Sequence, residues 1–206
     1  MSLTFDNIDL GKYKEEYLDC NPEVVNQGHG ITHSEGLLIY TLAREFEIDI
    51  LLESGVMHGQ STEIWGKTLP DVKVYGVDNL GDFQCPDMDK VKSRLDRYKN
   101  IELIYPADGC DEIPKLISKH SDKKIGVFVD GPKAEKGEQL YAKALDNDNV
   151  CFACMHDWTS TNNKKSLATR TRKEWREVAD DIDKRNNVKS KYQKKPNGPG
   201  LYCTIK

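Results

Sequence analysis

The chain has 206 residues, a length that suits one compact domain with a sheet between two helical layers. Charged residues make up 31% and hydrophobic ones 37%, with no long uncharged apolar run, which excludes both a disordered chain and a transmembrane helix. Net charge is only −4, yet Lys164 to Lys195 holds 12 basic against 5 acidic residues while the remainder holds 18 against 29, so the basic surplus is confined to one stretch.

That surplus reads as a solvated helix face and loop, or as a surface for an acceptor carrying phosphate or carboxylate. Neither nucleic acid nor a membrane is expected as a partner. The opening Met1 to Asp6 lacks the basic start and apolar stretch of a secretory signal, so a cytoplasmic location is expected. Cys20, Cys85, Cys110, Cys151, Cys154 and Cys203 show no framework spacing and read as small buried hydrophobes. Cys151 and Cys154 form a C-x-x-C, but within a strand-like run, where positions three apart point to opposite faces.

In chain order, an arm over residues 1–30 precedes a core over 31–158 and a C-terminal helix and hairpin over 159–206, all within a single domain. Thr32 to Glu35 fits a capping box, followed by Leu38, Leu42 and Phe46 on one helical stripe. Short apolar runs follow at Ile48 to Leu52, Val72 to Val77, Ile101 to Tyr105, Ile125 to Val129 and Val150 to Met155. Several lack strict alternation, as strands covered on both faces do. Between them lie helical spacings: Met88, Val91 and Leu95 behind Pro86, then Leu116 and Ile117, then Tyr141, Ala144 and Leu145.

Leu167, Thr171, Trp175, Val178 and Ile182 predict one face of a long helix after the fifth strand. Two closing extended pieces, Val188 to Tyr192 and Leu201 to Ile205, flank the turn Pro196 to Gly200. The alternation of strands and helices predicts an α/β fold: a doubly wound, Rossmann-like domain with a mostly parallel seven-stranded sheet and an antiparallel C-terminal hairpin.

Ligands bind outside the carboxyl ends of the strands in such a sheet. Those ends are acidic here: Glu53, Asp78, Asp130 and Asp157. The first loop, Glu53-Ser54-Gly55-Val56-Met57-His58-Gly59-Gln60-Ser61-Thr62, runs directly into a helix, and its glycines permit a tight turn with close backbone approach to a ligand. Val127 to Lys133 contains D-x-x-K after the fourth strand, and Met155-His156-Asp157-Trp158 closes the fifth.

The pattern E-x-G-x-x-x-G-x-S, with an acidic residue after the next strand, resembles the cofactor loop of class I S-adenosylmethionine-dependent methyltransferases, particularly the catechol and caffeoyl-CoA O-methyltransferase type. The resemblance spans Thr32 to Trp158. It implies that Glu53, Gly55, Met57, Gly59 and Ser61 surround the methionine part of S-adenosylmethionine, that Asp78 binds the ribose, and that Asp108 contacts the adenine region; Asp108 also reads as a helix cap.

It further implies that Asp130 and Asp157 bind Mg²⁺ while Lys133 acts as general base towards a small hydroxylated acceptor. A hard cation binding carboxylate and acceptor oxygens together lowers the hydroxyl pKa, which is what such a base needs. Trp158 stands where the family carries an asparagine ligand. Asn162 or Asn163 is then the substitute ligand, or His156 the base of a metal-free reaction. The catalytic set is therefore Lys133, Asp157 and His156.

Among the other histidines, His29, His33, His58 and His120 lack metal-ligand spacing; His29 and His33 are placed to edge the acceptor pocket. Trp65 and Trp175 read as core, and Trp158 as an acceptor contact. A homodimer is left open. Two other function classes stand beside the methyltransferase. A nicotinamide-dependent oxidoreductase also places an acidic residue after the second strand, although the G-x-G-x-x-G turn is missing. A non-catalytic binding protein could keep the same fold.

Overall fold

The computed structural model describes residues 8–9, 11–20, 31, 33–80, 87–156, 167–168 and 201–206. Its strands are β1 (Ile50–Ser54), β2 (Lys73–Val77), β3 (Ile101–Ile104), β4 (Ile125–Val129), β5 (Val150–Met155), β6 (Leu167–Ala168) and β7 (Tyr202–Ile205). Its helices are α1 (Lys14–Asp19), α2 (His33–Phe46), α3 (Gln60–Thr68), α4 (Met88–Leu95), α5 (Gly109–Lys119) and α6 (Ala134–Leu145).

The strands lie in the order β3-β2-β1-β4-β5-β7-β6. The first five pair in parallel, and β7 runs antiparallel to both β5 and β6. The result is an α/β Rossmann-like mixed sheet in which six strands have four to six residues and β6 adds a two-residue edge.

Both faces of the sheet are covered, which explains the unbroken apolar runs. Alternation sends Leu51, Val74, Phe128 and Phe152 towards α2 and α3, where they pack with Leu38, Leu42 and the fully buried Trp65. Ile50, Leu52, Val127 and Val129 face the other way, against Ile113, Leu116 and Leu140 of α5 and α6. Met88, Val91 and Leu95 of α4 close a third cluster around Val56, in the loop after β1. No helix among the described residues is long and apolar enough to cross a membrane.

Three differences from the sequence reading concern the flanks. Lys14–Asp19 forms a helix where only an arm was expected, and Tyr13 and Tyr17 pack against Tyr40 of α2. Leu37 to Ala43 are consequently all buried, so α2 has no solvent-facing stripe there.

Leu167, expected on a long helix, pairs instead with Cys203 as part of β6, because β7 otherwise leaves a row of unpaired backbone groups. The remainder of that helix and the expected strand from Val188 to Tyr192 lie outside the described residues.

Cys154 and Cys203, read as separate buried hydrophobes, stand directly opposite each other in the β5–β7 register and are joined as a disulfide. Strand pairing across 49 residues brings them together, which spacing along the chain does not encode.

Candidate active site

The strand order reverses between β1 and β4, and the loops leaving these two strands meet at the resulting crevice. Ser54 O accepts from both Asp130 N and Gly131 N at 2.8 Å, and Ser54 Oγ donates to Gly131 O. Gly55 has φ 95°, and a Cβ there would stand 2.6 Å from Gly131 N. Only glycine permits this backbone-on-backbone contact. Gly59 caps α3 in the left-handed region, φ 69°, with Val91 and Leu95 packed beneath it.

Asp78 holds the intervening turn. Its Oδ2 accepts from Val56 N at 2.9 Å and Met57 N at 2.8 Å, and its Oδ1 accepts from Leu80 N at 2.8 Å. Met57 and Leu80 both have positive φ, 48° and 56°, so this carboxylate stabilises two conformations that non-glycine residues rarely adopt. A carboxylate offers about four lone-pair sites, and three backbone donors leave it able to accept from a ligand hydroxyl.

Glu53 points the other way. Parity along β1 turns it towards α3, where it is completely buried and accepts from Ser61 Oγ. Burial pushes its carboxyl up to about 7, and the negative charge of Asp130 adds to this. Ser61, Thr62 and Trp65 pull in the opposite direction. Thr62 and Trp65 nonetheless do not reach hydrogen-bond geometry, and Glu53 Oε2, Thr62 Oγ1 and Trp65 Nε1 are buried without a partner. Asp108 caps α5, accepting from Cys110 N at 2.8 Å, as its position before a helix suggests.

The ends of β4 and β5 build the adjoining part of the crevice. Asp130 Oδ1 accepts from Lys133 Nζ, and it lies 3.0 Å from His156 Nδ1. Burial opposes ionisation of Asp130, but the His156 hydrogen bond and the charges of His156 and Lys133 outweigh it and hold the carboxyl below its usual range. An ionised carboxylate can only accept, so Nδ1 carries a proton. The second ring nitrogen, Nε2, lies 3.5 Å from Glu35 Oε2 of α2. Glu35, His156, Asp130 and Lys133 thus form one polar chain from a helix to the crevice.

Asp157, Trp158, Asn162, Asn163 and His29 lie outside the described residues. Among the described residues no group of three or more His, Cys, Asp or Glu side chains is placed to hold a metal ion. Asp130 commits Oδ1 to an ammonium and an imidazole, both poor neighbours for a cation that requires hard oxygen donors. Of the two expected Mg²⁺ ligands, Asp130 alone is among the described residues.

Two residues in this region carry no signal in the motifs. Glu35 reads as a capping-box member, yet it is buried and faces His156; a charged residue three positions before Leu38 on the core-facing stripe is the available hint. Arg94 of α4 donates to His58 O in the first loop and pairs with Glu63 at 3.1 Å, a contact between segments far apart in sequence. His120 packs in a tilted arrangement on the Tyr75 ring.

No protein-family model and no curated protein matches this chain. Solved structures do. One is a protein from Staphylococcus aureus provisionally assigned as a caffeoyl-CoA O-methyltransferase, with 16% identity, 98% of this chain and 93% of the other covered, and TM-score 0.50. A second, provisionally assigned as an O-methyltransferase from Klebsiella pneumoniae, has 12% identity, 98% and 91% coverage, and TM-score 0.52. A third is the O-methyltransferase TomG from Streptomyces achromogenes, involved in tomaymycin synthesis and solved with S-adenosylmethionine, at 15% identity, 100% and 92% coverage, and TM-score 0.50. The described residues have the fold of the class I S-adenosylmethionine-dependent methyltransferases.

Proposed function

We propose that this chain is an S-adenosylmethionine-dependent methyltransferase acting on an oxygen of a small acceptor. The observation that carries the reading is the turn from Gly55 to Gly59, held at the strand-order reversal by Asp78 and opening directly into α3. Residues of this turn and Asp78 would hold the cofactor, with Asp78 accepting from the ribose and Asp108 lying towards the adenine. When bound, S-adenosylmethionine supplies a methyl group on a cationic sulfur, ready for transfer to a nucleophile.

The chain's own contribution is to orient the acceptor and take its proton. Lys133 is the favoured group. His156 directs both ring nitrogens at carboxylates, Asp130 and Glu35, and so has no nitrogen aimed at an acceptor. Asp130 orients Lys133 as an ammonium; once the pair opens, Lys133 gives its extra proton to solvent and the free amine takes the hydroxyl proton of the acceptor. No step is assigned to a divalent cation. The neighbouring structures are described as O-methyltransferases, which supports oxygen as the acceptor atom.

Calorimetry with S-adenosylhomocysteine, with NAD as the competing ligand, tests the reading. Binding of the former alone is expected; tight NAD binding, or no binding of S-adenosylhomocysteine, overturns it.

A further inference from the structure

Arg94 lies outside every motif that identifies the cofactor loop, yet it touches that loop from α4. Its Nη2 donates to the carbonyl of His58, and its Nε pairs with Glu63 Oε2 at 3.1 Å, in the first turn of α3. One guanidinium therefore bridges the last part of the loop and the beginning of the helix it feeds. Glu63 is held on its other oxygen by Arg97 and is only 17% exposed, so it is a fixed anchor. Arg94 itself is 40% exposed, and its removal opens no core cavity.

The bridge spans a segment of unusual backbone. Met57 and Gly59 have φ 48° and 69°, flanking the carbonyl that Arg94 grips. Asp78 fixes the N–H groups of Val56 and Met57 from one side. A conformation of this kind persists only where its surroundings over-determine it. Arg94 supplies the constraint on the carbonyl side, and Val91 and Leu95 of the same helix supply packing beneath Gly59. A rigid two-nitrogen fork suits this geometry better than a lysine does.

We propose that Arg94 is a positioning residue for the cofactor: it clamps the loop from Gly55 to Gly59 in its binding conformation through the His58 carbonyl and Glu63. This rests on the methyltransferase reading. It predicts that α4, which contributes no residue to the expected motif, sets cofactor affinity by reducing the loop's freedom before binding.

The experiment compares wild type, Arg94→Ala, Arg94→Lys and Lys92→Ala by calorimetry with S-adenosylhomocysteine, with thermal melts and amide hydrogen exchange on each. Arg94→Ala is expected to bind about tenfold more weakly, the loss of one charge-assisted contact. Arg94→Lys, which keeps the charge but cannot bridge both partners, is expected to be intermediate at an unchanged melting temperature. Lys92→Ala, which removes an α4 pair with Asp96 and touches neither the loop nor Glu63, is expected to bind like wild type.

Faster exchange confined to residues 55–60 in Arg94→Ala supports a positioning role, since a general loss of structure would spread it. Wild type that binds, with both Arg94 variants within twofold of it, overturns this inference alone. Wild type that does not bind overturns the proposed function and this inference with it.

Discussion

His156 Nδ1 lies 3.0 Å from Asp130 Oδ1, which makes an imidazole and a carboxylate at the ends of adjacent strands a single hydrogen-bonded unit. The same oxygen receives Lys133, so Asp130 is the shared anchor of two basic groups. Asp130→Asn is expected to lower stability by about 1.5–3 kcal/mol, the range for a hydrogen bond to a charged group. A urea midpoint equal to that of wild type would show that neither bond contributes to the folded state.

Glu53 makes stability pH-dependent. Its carboxyl, ordinarily near 4.5, is raised to about 7 by burial, so the folded chain keeps the proton to a higher pH than the unfolded chain does. The contribution is complete below pH 4.5 and is lost as pH rises through about 7. At about 1.4 kcal/mol for each pH unit, the span is on the order of 3 kcal/mol. Denaturation midpoints should fall over this range for wild type and stay flatter for Glu53→Gln. Parallel slopes would mean that Glu53 does not titrate there.

Asp78→Ala removes the acceptor for Val56 N and Met57 N as well as the expected ribose contact. Its S-adenosylhomocysteine affinity should fall about ten- to hundredfold. Asp78→Asn keeps an oxygen but replaces the other acceptor with a donor, and should recover only part of the loss. Full recovery in calorimetry would show that charge and the second acceptor are dispensable.

Gly55→Ala combines a positive φ with a Cβ that would reach 2.6 Å from Gly131 N, backbone that cannot move aside cheaply. Strain of this kind costs about 1–3 kcal/mol before the clash is counted. The variant is expected to melt at a lower temperature and to bind S-adenosylhomocysteine weakly. Unchanged binding would show that the two loops separate without consequence.

Lys133→Ala should leave S-adenosylhomocysteine affinity intact and reduce turnover about 10²- to 10⁴-fold with any acceptor found by screening hydroxylated compounds. Turnover is expected to persist in excess EDTA, because the proposed proton transfer passes through Lys133 with no divalent cation. Loss in EDTA with recovery on adding Mg²⁺ would restore the cation to the mechanism.

The five parallel strands were legible because each is a short β-rich apolar run, and the positions of Gly55, Gly59 and Asp78 followed from the turn they make. Their contacts were less so. That Asp78, expected to bind the ribose, accepts loop N–H groups depends on how the turn curls back on β2. The burial of Glu53 follows from its sharing a face with Leu51, a parity argument available in the sequence once the strand's covered faces are known. Glu35 and Arg94 depend on contacts between distant segments and leave little local trace. Leu167, the first residue of the expected helical stripe, is instead taken up by the pairing of β6 with β7.

The contact between Gly55 and Gly131 joins the loop expected to receive the cofactor to the loop expected to meet the acceptor, backbone against backbone, with no side chain between them to absorb movement. A shift imposed on either loop must therefore be felt by the other. In thermodynamic terms the two ligands are linked, and the factor by which one changes the other's affinity is the same in both directions. The acceptor, once identified, should alter the affinity for S-adenosylhomocysteine, and the size of that change measures how stiff this joint is.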